Sequence, residues 1–105
     1  MKLYTVTTIV EGWPSEESKK YGGLRTVVVC TSLERAKEIV ENNEFDIFET
    51  SYTYAVIALI EADELYGGFN EREEEVWYKW EGDGETGKYL PSAKPEEYKN
   101  VRFGL

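Results

Sequence analysis

Twenty-one Asp and Glu, a single Cys and no His narrow the chemistry open to this chain, since the commonest acid–base group is missing. Without an imidazole, a Ser/His/Asp or Cys/His relay of the usual build has no base. One thiol and no His leave only carboxylates for zinc, and these are poor ligands for a closed structural site. No GxxxxGK[ST] phosphate loop occurs, and no GxGxxG opens a helix. Two carboxylate arrangements remain. Glu81, Asp83 and Glu85 alternate with glycines, as the ligands of calcium loops do. The full D-x-[DN]-x-[DN]-G pattern and its later bidentate Glu are missing, so a solvated hairpin tip is the better reading. The run Glu73-Glu74-Glu75 supplies paired acids of the kind glycosidases use. A small domain offers no cleft to desolvate one of them, so this run reads as a solvated face. No catalysis, metal or cofactor is expected.

Recognition is left, and it starts from aromatic residues beside acids. Trp77 and Trp80 lie three apart in Glu75–Trp80, so on a strand they point to opposite faces. If one face is core, a Trp on the other is either exposed or covered by the C-terminal tail. Trp13, beside Pro14 in a long first loop, is a further candidate for exposure. The net charge of −9 opposes binding to phosphates and to anionic membranes, and steers the chain toward basic surfaces. The same charge also keeps a small domain in solution. The expected contacts are Glu71, Glu73, Glu74, Glu75, Asp83 and Glu85, with Trp13, Trp77 and Trp80 as anchors. The expected partner is a basic protein surface, with no direct nucleic-acid or membrane contact.

The elements that must hold these residues are legible in the patterning. At 105 residues the chain is one domain, 1–105, and 8 Tyr, 4 Phe and 3 Trp help supply a core. Leu3–Val10 reads as a strand, Glu11–Gly23 as a long loop, and Leu24–Thr31 as a second strand. Thr31-Ser32-Leu33-Glu34 fits a capping box with Thr31 as the cap. Leu33, Ala36, Ile39 and Val40 then recur at helical spacing, Glu34 and Lys37 form an i,i+3 pair, and Asn42-Asn43 stops the helix. In Glu44–Thr50, Phe45, Ile47 and Phe48 are expected to cover the open end of the core, by a turn or a short edge strand. Ser51–Ala62 is apolar on both faces, which implies a central strand covered on two sides or a face that meets a partner subunit. Glu75–Trp80 is another strand, and Lys88-Tyr89-Leu90 can pair back across Glu81–Gly87. Pro91 and Pro95 make Ser92–Leu105 an irregular wrap pinned by Val101 and Phe103. The order β-β-α-β-β predicts an α+β fold, a mainly antiparallel sheet with one amphipathic helix on a face.

The series Tyr4-x-Val6, Thr31-Ser32-Leu33-Glu34-Arg35-Ala36-Lys37-Glu38, Tyr54–Glu61 and Glu75-x-Trp77-Tyr78 resembles small bacterial and phage-encoded accessory proteins. In these a strand leads into a short S-x-E-x-A helix, back into a strand, and on to a Trp-bearing hairpin. The resemblance implies no chemistry, but it implies a non-enzymatic inhibitor of a nucleic-acid-guided or nucleic-acid-cleaving host defence system. A second reading is a homo-oligomer that sequesters a small molecule or nucleotide signal in a pocket of Tyr52, Tyr54 and Tyr66. A structural or assembly subunit is a third. The start of the sequence lacks the apolar stretch of a signal peptide, and the longest apolar run is Ala55–Ile60. The lone Cys30 lies in the apolar run Val27-Val28-Val29-Cys30, where thiols are usually inert. A cytoplasmic protein is expected.

Overall fold

The computed structural model describes residues 2–61 and 75–103. Five strands, β1 (Lys2–Ile9), β2 (Leu24–Cys30), β3 (Tyr54–Glu61), β4 (Glu75–Glu81) and β5 (Lys88–Ser92), form one sheet in the order β2-β1-β3-β4-β5. Every neighbouring pair is antiparallel. A single turn of helix, α1 (Glu16–Lys19), sits in the first loop, and α2 (Leu33–Glu41) is the principal helix. The fold is α+β, in the element order the patterning indicates. Strands β2 and β3 flank β1 and both run against it, so α2 carries the chain across one sheet face.

The two-sided apolarity of β3 is that of a central strand. Ala55 and Ile57 face α2, whereas Tyr54, Val56 and Ala58 face the opposite layer. On the helix side, Val6, Cys30, Ile57, Tyr78 and Trp80 pack against Ala36, Ile39 and Val40. This is the stripe read from the helical spacing. On the other side, Ile9, Val56 and Trp77 are closed over by Tyr98 and Phe103. Burial pushes the Cys30 thiol above its ordinary pKa. Among the described residues no helix is long and apolar enough to cross a membrane.

Several local expectations are corrected. Ser32, not Thr31, caps α2: its backbone is extended and its hydroxyl accepts from the Arg35 N–H at 3.1 Å. Arg35, rather than Glu34 with Lys37, organises the helix charges. It holds both Glu44 oxygens, at 2.7 and 2.8 Å, because its planar fork matches a carboxylate. Asn43 adopts the left-handed conformation that an Asn stop requires (φ 47°, ψ 44°). The following segment is a 3-10 turn, Glu44–Asp46, with further turns, and not an edge strand. Ile47 and Phe48 enter the core there, but Phe45 turns outward and is 77% exposed. Pro91 lies inside β5, which an edge strand tolerates because one side of its backbone needs no partner.

Candidate functional site

Trp77 and Trp80 occupy opposite faces, as their spacing requires, but neither is an exposed anchor: they are 4% and 9% exposed. Trp77 lies beneath the tail, its ring 6.0 Å from Tyr98 in a stacked pair and 5.1 Å from Phe103 edge-on. Trp80 lies beneath the turn segment, stacked on Phe48 at 3.8 Å, with Nε1 donating to the Asp83 carbonyl. Trp13 is half-buried against Tyr98 and Phe103. Glu75 is not a surface carboxylate either. It accepts from Trp77 Nε1 at 3.1 Å and from the Phe103 N–H at 3.0 Å, and pairs with Lys94 at 2.8 Å. These contacts make it the clamp of the C-terminal wrap. Glu71, Glu73 and Glu74 lie outside the described residues.

Asp83 and Glu85 are exposed. Asp83 Oδ1 accepts from the backbone N–H groups of Thr86 and Glu85 and from the Thr86 hydroxyl. These bonds favour the carboxylate and hold its pKa below the usual value. Gly87 closes the same tip, where a Cβ would stand only 2.5 Å from Trp80 Nε1 and from the Asp83 carbonyl oxygen. The tip is therefore a hydrogen-bonded turn with Glu81 and Glu85 exposed.

A tyrosine pocket does not assemble from Tyr52 and Tyr54. Tyr52 lies under the Arg25 guanidinium, 4.7 Å from its ring centroid, and its carbonyl accepts from the Tyr89 hydroxyl. Tyr54 packs edge-on against Trp77 and Tyr98 in the other layer. Tyr66 lies outside the described residues. An apolar cavity of about 240 Å³ lies elsewhere, lined by Tyr4, Leu33, Ile57, Leu59 and Val76.

Topology, rather than any motif, concentrates the carboxylates. β1 and β4 end where β2, β3 and β5 begin, so three loops meet at one end of the sheet. The first loop carries Glu11, Glu16 and Glu17, the turn segment Glu44, Asp46 and Glu49, and the hairpin tip Glu81, Asp83 and Glu85. Lys19, Lys20, Arg25 and Lys88 are cations of these loops and strand ends; Lys19 pairs with Glu16 and Arg25 with Glu49, and Arg35 of α2 holds Glu44.

Beside this acidic end, a groove of about 560 Å³ runs between β2 and the turn segment, lined by Arg25, Thr26, Val27, Val28, Phe45, Ile47 and Glu49. Its outer wall is Phe45, held with positive φ (60°); Asn43, Asp46, Glu49 and Thr50 share that left-handed region. For a residue with a Cβ this conformation costs roughly 1–2 kcal/mol. Asn43 enforces it, with Oδ1 accepting from the Phe48 N–H at 2.9 Å, while Phe48 is locked in the Trp80 stack. A Phe this exposed contributes little burial to the free chain, while its backbone conformation costs energy. The sequence expectation has Phe45 covering the open end of the core, whereas it stands exposed. Its one available signal was the Asn42-Asn43 stop, after which the chain direction reverses.

Comparison with protein-family models, curated protein sequences and solved structures found no match.

Proposed function

We propose that this chain is a non-enzymatic binding protein whose acidic end occupies a basic surface on another protein. The observation that supports this is the gathering of three carboxylate-bearing loops at one end of the sheet, beside the exposed ring of Phe45. Carboxylates on turns present negative charge, as phosphates do, and a neighbouring aromatic supplies apolar contact area. A target whose basic site ordinarily holds nucleic acid fits this chemistry. The concrete form is an inhibitor that competes with nucleic acid for that site, in keeping with phage-encoded inhibitors of host defence.

The test is affinity capture of partners on the immobilised chain at low and at high salt. The wild-type chain is expected to retain a basic protein at low salt and release it as salt rises. A Glu17→Lys/Glu85→Lys variant is expected to lose it. Retention that ignores both salt and charge reversal would remove the proposal.

A further inference from the structure

The geometry points to the groove beside β2 as the recognition site for an extended, basic peptide segment of the partner, added as a sixth strand to the sheet; this deepens the reading above and rests on it. β2 is an edge strand, and among the described residues no backbone hydrogen bond reaches its outer edge. Its N–H and C=O groups are therefore a template for another strand. A bulge at Val27 re-aims the strand here: Val6 faces Val28, whereas Thr7 faces Thr26. Val27 and Val28 thus both line the groove, with Ile47 beneath and Phe45 standing over it. An incoming strand sets alternate side chains on this side, and the groove takes an apolar one between Val27 and Phe45. Val29, on the opposite face of the same edge, is also exposed and offers a second apolar contact.

Charge selects the occupant. The segment beside the groove carries Glu44, Asp46 and Glu49; Arg35 holds Glu44, and the Arg25–Glu49 pair closes one end at 3.0 Å. Asp46 has no ion-pair partner among the described residues, so Lys or Arg on the incoming strand meets a carboxylate there, beside the acidic end, and an acidic strand is repelled. A second copy of this chain carries the same −9 charge and the same acidic end, so self-pairing along β2 is disfavoured.

A displayed library of random twelve-residue peptides, selected on the whole wild-type chain, tests this. The expected winners alternate Lys or Arg with apolar residues and lack an internal Pro, since Pro cannot donate to the new ladder. They should lose at least tenfold in affinity on Phe45→Gly, with the melting midpoint of that variant unchanged or raised. Phe45→Asn, which also suits the left-handed backbone, guards against a fold defect. No enrichment, acidic or uncharged winners, or equal binding to Phe45→Gly and Phe45→Asn would overturn the assignment. Sedimentation of the chain alone as a dimer that Phe45→Gly dissociates would give the groove to a second copy and overturn it too. Capture of a basic protein equally by wild type and Phe45→Gly, but not by Glu17→Lys/Glu85→Lys, would keep the acidic-end reading and remove only the groove.

Discussion

Tyr98 and Tyr89 are both buried, yet their hydroxyls stand in opposite situations. The Tyr98 hydroxyl has no protein partner among the described residues, whereas that of Tyr89 donates to the Tyr52 carbonyl at 2.5 Å. Removing an unpaired buried hydroxyl relieves a desolvation penalty, and removing a paired one strands its acceptor. Tyr98→Phe is therefore expected to leave stability unchanged or raise it by up to about 1 kcal/mol, and Tyr89→Phe to lower it by about 1 kcal/mol. Urea denaturation of the two variants side by side decides the matter, and equal losses would contradict it. Burial also raises the pKa of both phenols, that of Tyr98 to about 12, and raises Tyr78, to which Glu41 adds as hydrogen-bond acceptor. Because the folded-state values lie above the unfolded one near 10, folding holds these protons more tightly. Their contribution is fully present below pH 10 and is lost as pH rises, for Tyr98 between about 10 and 12. A pH series of melting curves should therefore fall on the alkaline side as the tyrosine absorbance changes. A flat profile through that window would refute the burial account. Side-chain direction was legible for Trp77 and Trp80, because strand parity is local. Their burial was not, because it depends on Tyr98, Phe103 and Phe48 arriving from elsewhere in the chain.

The C-terminal wrap stays on the sheet through one side chain more than through any regular structure. Its 3-10 turn, Glu96–Tyr98, is a single turn, while Glu75 on β4 ties Lys94, the Phe103 N–H and Trp77 Nε1 together. Lys94 in turn donates to the Val101 carbonyl at 2.6 Å. Glu75→Ala leaves a partly buried ammonium and two N–H groups without their acceptor, and is expected to cost about 3 kcal/mol. Hydrogen exchange should show protection lost first in residues 93–103, with α2 little affected. Uniform loss across the sheet would mean that Glu75 supports the whole fold and not the tail. In the sequence Glu75 looked like the end of an acidic run, since run composition carries no trace of a Lys nineteen positions later. The helix, by contrast, was readable almost residue by residue: Leu33, Ala36, Ile39 and Val40 form a period that packing then honours. The one-residue error at its cap arose because Thr31 and Ser32 are both competent caps. Only the backbone angles of Ser32 choose between them. The turn segment after α2 was the least legible element, because runs of left-handed non-glycine residues follow from tertiary anchoring at Phe48 and not from local preference.

At the scale of the molecule, the fold order and two-layer core follow from patterning, whereas the acidic end follows from connectivity that no single segment encodes. The carboxylates of three loops far apart in sequence become neighbours only when β1, β4 and β5 register with β3 and one another. Such an arrangement is self-repelling in the free protein. Ion pairs at the surface, such as Lys19–Glu16 and Lys99–Glu96, are exposed and contribute little against it. Salt screens repulsion between exposed charges over about 10 Å at 0.1 M, so added NaCl should stabilise this fold rather than weaken it. A gain of roughly 0.5–1 kcal/mol would raise the melting midpoint by about 4 °C in a domain of this size. Neutralising Glu17 and Glu85 to Gln should reproduce part of that gain at low salt and shrink the further response to added salt. The same variant should weaken capture of a basic partner. A melting midpoint that falls with added salt would show that ion pairs outweigh repulsion, and the acidic end would then be a stabilising network. Stability that rises while binding falls on neutralisation separates charge that serves recognition from charge that serves the fold.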